Sequence, residues 1–119
     1  MGTFKIKETA KGHVFHLVAG NGETIGTSEV YSSKSACLNG VESVRKNSAV
    51  AKIEDQTAKE SVTNPKFEIY LDKSKHFRFR LKASNGEIIL SSEPYSSKDS
   101  CKNGIASVCK NAKDAKVAE

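Results

Sequence analysis

The sequence predicts an α+β fold in which one β-β-β-α-β unit occurs twice. Three observations carry this: an internal repeat, strand-like alternation of apolar residues in the first half of each copy, and helical spacing in the second half. Residues 21–47 read NGETIGTSEVYSSKSACLNGVESVRKN and residues 85–111 read NGEIILSSEPYSSKDSCKNGIASVCKN; at this offset of 64, 17 of 27 positions are identical. Phe4 and Ile6 match Phe67 and Ile69 at an offset of 63, so the first turn of the second copy carries one extra residue. The chain divides into repeat 1 (1–55), a polar linker (56–64) and repeat 2 (65–119).

Each copy opens on a strand. Phe4 and Ile6 alternate with lysines, and Phe67, Ile69 and Leu71 repeat the pattern. The second strand places Phe15 and Leu17 on one face; its twin places Phe77, Phe79 and Leu81 on one face and Arg78, Arg80 and Lys82 on the other. Asn21-Gly22 and Asn85-Gly86 follow, a hairpin signal that predicts type I′ turns with positive φ at both central residues. A third strand runs through Ile25, and through Ile88 to Leu90. The spacing then becomes helical. Ser32 or Ser33 is the expected N-cap, and Ser96 with Asp99 forms a weaker relative of the capping box. Cys37, Gly40, Val41 and Val44 share one helical face, as do Cys101, Gly104, Ile105 and Val108. Asn47 and Asn111 stand where a left-handed C-cap belongs. Segments 50–54 and 114–118 read as final strands.

A unit of about 55 residues is near the lower limit for independent folding, and its one helix leaves apolar surface uncovered. Two copies cover each other if the chain is an internal pseudo-dimer with twofold symmetry, so a monomer is the expected state.

The segment NGE…SE-x-YSSK-x-x-C-x-NG(V/I)-x-SV-x-KN resembles the YegP-like family of small uncharacterised bacterial proteins, in its duplicated form. The resemblance implies tandem β(3)-α-β repeats in one domain with a shared antiparallel sheet and swapped C-terminal strands. Ala51-Lys52-Ile53 would then pair in the sheet of the second copy and Ala115-Lys116-Val117 in that of the first. It implies no reaction, ligand or catalytic residue. One departure between the copies is Cys109, where the first has Arg45.

Composition bounds the function. Apolar residues make up 37% and charged residues 28%, which excludes collagen-like and disulfide-scaffold classes and argues against disorder. No apolar run reaches the ~18 residues of a membrane span. Residues 1–8 lack the apolar core of a signal peptide, and the three cysteines form no Cys-x-x-Cys pair. A reducing, cytoplasmic location is expected.

No residue set names a reaction. Cys37 and Cys101 read as core residues, and Cys109 as an exposed thiol. His13 and His16 fall on opposite faces of a strand, with no zinc-site spacing, so no metal and no cofactor is expected. The Ser-Ser-Lys at each helix start could hold a nucleophile with a lysine base, but capping explains the serines more simply. Gly40 and Gly104 imply close approach to the sheet or the other helix. The formal charge of +5 is uneven: repeat 1 carries +1 and repeat 2 carries +4. Arg78, Arg80 and Lys82, with Lys73 and Lys75 in the adjoining turn, are candidate contacts for nucleic acid or another polyanion. The matching Val14 and Val18 suggest an exposed apolar strip for a protein partner. The resulting expectation is a non-catalytic cytoplasmic interaction or accessory domain with an unidentified protein partner. The alternative is a polyanion binder using the basic strand.

Overall fold

The computed structural model describes residues 2–119; Met1, counted in repeat 1, lies outside the described residues. Repeat 1 folds as β1 (Thr3–Thr9), β2 (Gly12–Val18), β3 (Thr24–Thr27), α1 (Lys34–Ser48) and β4 (Lys52–Asp55). Repeat 2 folds as β5 (Lys66–Leu71), β6 (Phe77–Lys82), β7 (Ile88–Ser92), α2 (Lys98–Asp114) and β8 (Lys116–Ala118). The linker adds a 3-10 turn, Gln56–Ala58.

The Asn-Gly pairs reverse the chain, but not as type I′ turns. Positive φ falls on the glycines alone, +90° at Gly22 and +87° at Gly86. Ala19 N–H donates to Glu23 O (2.8 Å) and Gly22 N–H to Ala19 O (2.9 Å), closing a three-residue loop that ends on a left-handed glycine. Asn21 acts through its side chain, whose Oδ1 accepts the Glu23 N–H (3.0 Å); Asn85 and Glu87 repeat the bond.

Ser33 and Ser97 cap the helices, accepting the N–H groups of Ala36 and Ser100 at 3.1 Å. Asp99 lies in the first turn of α2, one residue after Lys98, where its charge suits the helix dipole. Asn47 and Asn111 are not left-handed caps. Each lies inside its helix and donates its amide to the carbonyl four residues back, Ser43 O and Ser107 O, at 2.8 Å. The end of α2 is satisfied from the other helix: the Arg45 guanidinium donates to Ala112 O (3.1 Å) and Ala115 O. The counterpart Cys109 Sγ donates to Ser48 O (3.6 Å).

All eight strands form one sheet, ordered β4-β5-β6-β7-β3-β2-β1-β8. The last strands are exchanged: β4 pairs with β5 of repeat 2, and β8 with β1 of repeat 1. Both pairings are parallel, so the sheet is mixed rather than antiparallel. Each last strand follows a helix that has crossed the core side, and it enters beside the other repeat's first strand in the same direction. At the centre β3 pairs with β7 antiparallel, with Thr27 opposite Ser91. These are equivalent positions of the two copies, so the pseudo-twofold axis passes between them. Beside the axis, a Cβ on Gly26 would lie 2.7 Å from Leu90 Cγ; the leucine fills the space its own counterpart leaves.

Both helices pack on one face of the sheet. Phe4, Phe15, Phe67 and Phe79 form one core with Cys37, Val41 and Val44 of α1 and Cys101, Ile105 and Val108 of α2. Tyr31 stacks on Phe15 and Tyr95 on Phe79, each with centroids 6.2 Å apart. The helix glycines admit these tyrosines and the sheet beneath them: a Cβ would lie 2.6 Å from Tyr31 Cζ and 3.0 Å from Phe15 Cε2 at Gly40, and 2.7 Å from Tyr95 Cζ and 3.0 Å from Phe79 Cε2 at Gly104. Val14 and Val18 are buried, not an exposed strip. The register sets Lys7 across from Val14 and Thr3 across from Val18, so neighbours on the sheet shield both. Among the described residues no helix is long and apolar enough to cross a membrane.

The repeated lysine at each helix start fastens the exchanged strands. Lys98 Nζ lies 2.8 Å from Asp55 Oδ2, and Lys34 pairs with Glu119 in the equivalent place. Burial pushes the Asp55 carboxyl up, but Lys98 and Thr57 outweigh it and hold it below its usual value. Asp55 is buried whereas Glu119 is half-exposed, so the two clamps differ in strength. Lys98→Ala, which strands a buried carboxylate, is expected to cost about 3 kcal/mol in urea unfolding. Lys34→Ala is expected to cost under about 1 kcal/mol; equal losses would contradict the asymmetry.

Candidate functional site

The helix-free face of the sheet carries the sequence-predicted site. Its residues come from alternate positions: Lys66, Glu68 and Tyr70 on β5 and Arg78, Arg80 and Lys82 on β6. The antiparallel register sets Glu68 opposite Arg80 and Lys66 opposite Lys82. Glu68 is 2% exposed and sits at the hub of a cationic ring. Its oxygens lie 2.6 Å from Arg80 Nε, 3.2 Å from Lys66 Nζ and 3.3 Å from Lys82 Nζ. Burial pushes the Glu68 carboxyl up, but the hydrogen bonds from Arg80, Lys66 and Lys82 prevail and hold it below the usual range. Arg80 also lies over the Tyr70 ring, 4.5 Å from its centroid.

Arg78 is engaged separately. Its Nε donates to Asp72 Oδ2 (2.8 Å), and Asp72 Oδ1 accepts the backbone N–H groups of Ser74 and His76. This carboxylate shapes the turn that carries Lys73 and Lys75, both exposed, with Lys75 at φ +64°. Thus Arg78, Arg80 and Lys82 do share one face, as the alternation requires, but each already has a carboxylate partner. Glu68 and Asp72 are the residues the strand reading overlooked. The available signal was Glu68 itself, an acid at the alternating polar position of the strand beside the basic one.

Lys66 extends the lattice to the exchanged strand, at 2.9 Å from Glu54 Oε1. Glu54 also accepts from Gln56 Nε2 (2.9 Å) and Val62 N–H (2.8 Å). These bonds, Lys66 first, hold the Glu54 carboxyl at about 2, against an ordinary 4.5.

On the helix side, two shallow clefts are related by the pseudo-twofold axis. One is lined by Asn39, Ser43, Lys46 and Asn85, with about 360 Å³ of space. The other is lined by Asn103, Ser107, Asn21 and Glu23, with about 210 Å³. Each joins the helix of one repeat to the hairpin turn of the other. No cysteine lines either cleft. Burial pushes the Cys37 thiol up and the Cys101 thiol to about 11, and the Cys109 thiol is also raised by burial of its sulfur. Among the described residues, no cluster of three His, Cys, Asp or Glu side chains is placed to hold a metal ion.

The ion lattice makes the fold acid-sensitive in a defined window. Glu54 is depressed in the folded state, so its contribution is present above its ordinary 4.5 and is lost as pH falls toward 2. Thermal unfolding of the native chain should therefore drop through this window, and Glu54→Gln should flatten the drop. A Glu54→Gln profile parallel to the native one would refute the assignment.

Comparison with known proteins agrees with this architecture. The family described as "Domain of unknown function (DUF1508)" matches twice, over residues 8–55 and 72–119. The "UPF0339 protein in ptx operon 5'region" of Stutzerimonas stutzeri is 40% identical over 119 residues, covering 99% of this chain and 96% of that one. A UPF0339 protein of Treponema denticola is 65% identical over 54 residues, 45% of this chain but 93% of its own. The solution NMR structure of the Escherichia coli protein of unknown function yegP superposes with a TM-score of 0.79 at 37% identity, covering 98% of this chain and 90% of that one. The twofold match, the full-length relative and the shared fold place the chain in the DUF1508 family of YegP-like UPF0339 proteins, as a tandem of two copies.

Proposed function

We propose that the protein is a non-catalytic binding module of the cytoplasm that engages a protein partner through its two equivalent clefts. One observation carries this reading: exposed side chains that packing does not require are the same in both copies at the clefts. Asn39 and Asn103, and Asn21 and Asn85, are exposed, identical and line the two clefts, with Ser43 and Ser107 beside them. The helix-free face has diverged instead, with Lys5, Val14 and His16 where repeat 2 has Glu68, Arg78 and Arg80. Side-chain amides both donate and accept, which suits them to a polypeptide's backbone and polar side chains. The raised thiols favour binding over nucleophilic chemistry. A polyanion on β6 would have to draw Arg80 and Lys82 from Glu68, an exchange of partners rather than a gain.

The test is affinity capture with the full chain, comparing the native protein with Asn39→Arg, Asn103→Arg and the double variant. A specific partner should be weakened by each single change and lost from the double variant, with Lys73→Ala/Lys75→Ala unaffected. An identical captured set from native and double-variant protein would overturn the reading. Binding of DNA or RNA at ~50 mM salt, abolished by charge reversal at Arg78 and Arg80, would establish the polyanion alternative in its place.

A further inference from the structure

The two halves of the helix-free face carry opposite charge arrangements at equivalent positions. In repeat 2 the first strand is acidic at its centre and the second is basic, so the ring of Arg80, Lys82 and Lys66 closes around the Glu68 carboxylate. In repeat 1 the counterparts of Glu68 and Tyr70 are Lys5 and Lys7, and the counterpart of Asp72 is Thr9. Among the described residues neither Lys5 nor Lys7 forms an ion pair, and both are exposed. Lys5 lies directly across the ladder from His16. Repeat 2 thus carries its own anion, while in repeat 1 Lys5 stands at the carboxylate's position, with Lys7 at that of Tyr70 and His16 at that of Arg80, and among the described residues no carboxylate stands in this place.

That place is a depression of about 370 Å³ lined by Lys5, Lys7, His16, Val18, Gly22 and Thr24. Thr27 Oγ1 engages His16 Nδ1 at 2.9 Å, which fixes the ring and leaves Nε2 for a ligand. A Cβ on Gly22 would meet nothing within 4 Å, so the hairpin turn at the rim leaves room beside its backbone. Two ammonium groups, an imidazole and a hydroxyl supply donors for the oxygens of a tetrahedral dianion, and Val18, 8% exposed, borders the same depression. The volume exceeds a bare phosphate and falls in the range of small-ligand sites.

We propose that Lys5, Lys7, His16 and Thr24 bind the phosphoryl group of a small phosphomonoester on the helix-free face of repeat 1. The site opens on the face opposite the clefts but shares Thr24 of the hairpin with one of them. Occupancy is linked to protons. Burial and Lys7 lower the His16 pKa, with Glu93 opposing, and a bound dianion would act against both. Lys5 also lies across the ladder from the ring. Binding therefore raises the His16 pKa and takes up protons below neutral pH.

The experiment is NMR titration of the full chain with inorganic phosphate and with phenyl phosphate at fixed ionic strength, reading backbone amides and the His16 ring. Saturable shifts should cluster at residues 5, 7, 16, 22 and 24, and the His16 titration should move to higher pH. Phenyl phosphate should bind more tightly than phosphate, through Val18. Lys5→Ala/Lys7→Ala should weaken binding by about tenfold or more. Lys73→Ala/Lys75→Ala, equally basic and equally exposed, should not. Lys5→Gln/Lys7→Gln removes both charges while keeping polar side chains of similar bulk on the strand and should also lose binding, so a fold defect cannot mimic the result. Linear, non-saturating shifts, equal weakening by the two lysine pairs, or binding of a single-stranded oligonucleotide without either phosphate would overturn the proposal.

Discussion

The parallel pairing of β4 with β5, and of β8 with β1, ties each repeat to the other through backbone hydrogen bonds that neither forms alone. Much of the molecule follows from that exchange. It leads the linker back from the end of β4 to the start of β5, and the Glu54 carboxylate secures that return by accepting the Val62 N–H. It places a carboxylate at the end of each exchanged strand within reach of the other repeat's helix, where Lys34 and Lys98 stand. It also brings the two helix ends together, so that Arg45 can serve α2 and Cys109 can lean on α1. Small domains lack the buried area to hold loose ends by packing alone, and directed polar contacts supply the difference here.

The two faces of the sheet obey different constraints. The helix side is a close-packed core repeated nearly residue for residue, because Tyr31 and Tyr95 reach Phe15 and Phe79 only past Gly40 and Gly104. A side chain at either glycine would displace an aromatic ring, which close packing resists. The other side has no covering layer and is held by charge. There the copies were free to differ, provided each buried charge found a partner. Glu68 met that condition in repeat 2 by gathering three cations. Repeat 1 met it by burying uncharged Val14 and Val18 and leaving its lysines in water.

Local order was legible where the signal is local. Alternation in Phe4-Lys5-Ile6 and the change of period at Lys34 define the elements, because both are properties of short windows. The serine caps were legible to within one residue. The Asn-Gly pairs marked the turns but not their type, since the loop is closed by Ala19 and Glu23, which lie outside the dipeptide. Asn47 looked like a helix stop because its type suits one; its side chain bonds inward to Ser43, while Arg45 terminates the opposite helix. Strand direction at the edges was not legible, because alternation is the same for parallel and antiparallel pairing. The basic strand was read correctly as a face and incompletely as a site. Its charge is answered by Glu68, which only the register brings alongside.

The contact between Gly26 and Leu90 makes the two halves complementary rather than interchangeable. These residues are equivalent by sequence and neighbours across the central β3–β7 seam. Two first repeats joined in this way would set glycine against glycine and leave a void. Two second repeats would press leucine against leucine. The halves have become male and female, each shaped to the other and no longer to itself. Joining two copies of the same half would lose this fit, so the seam favours a first repeat set against a second.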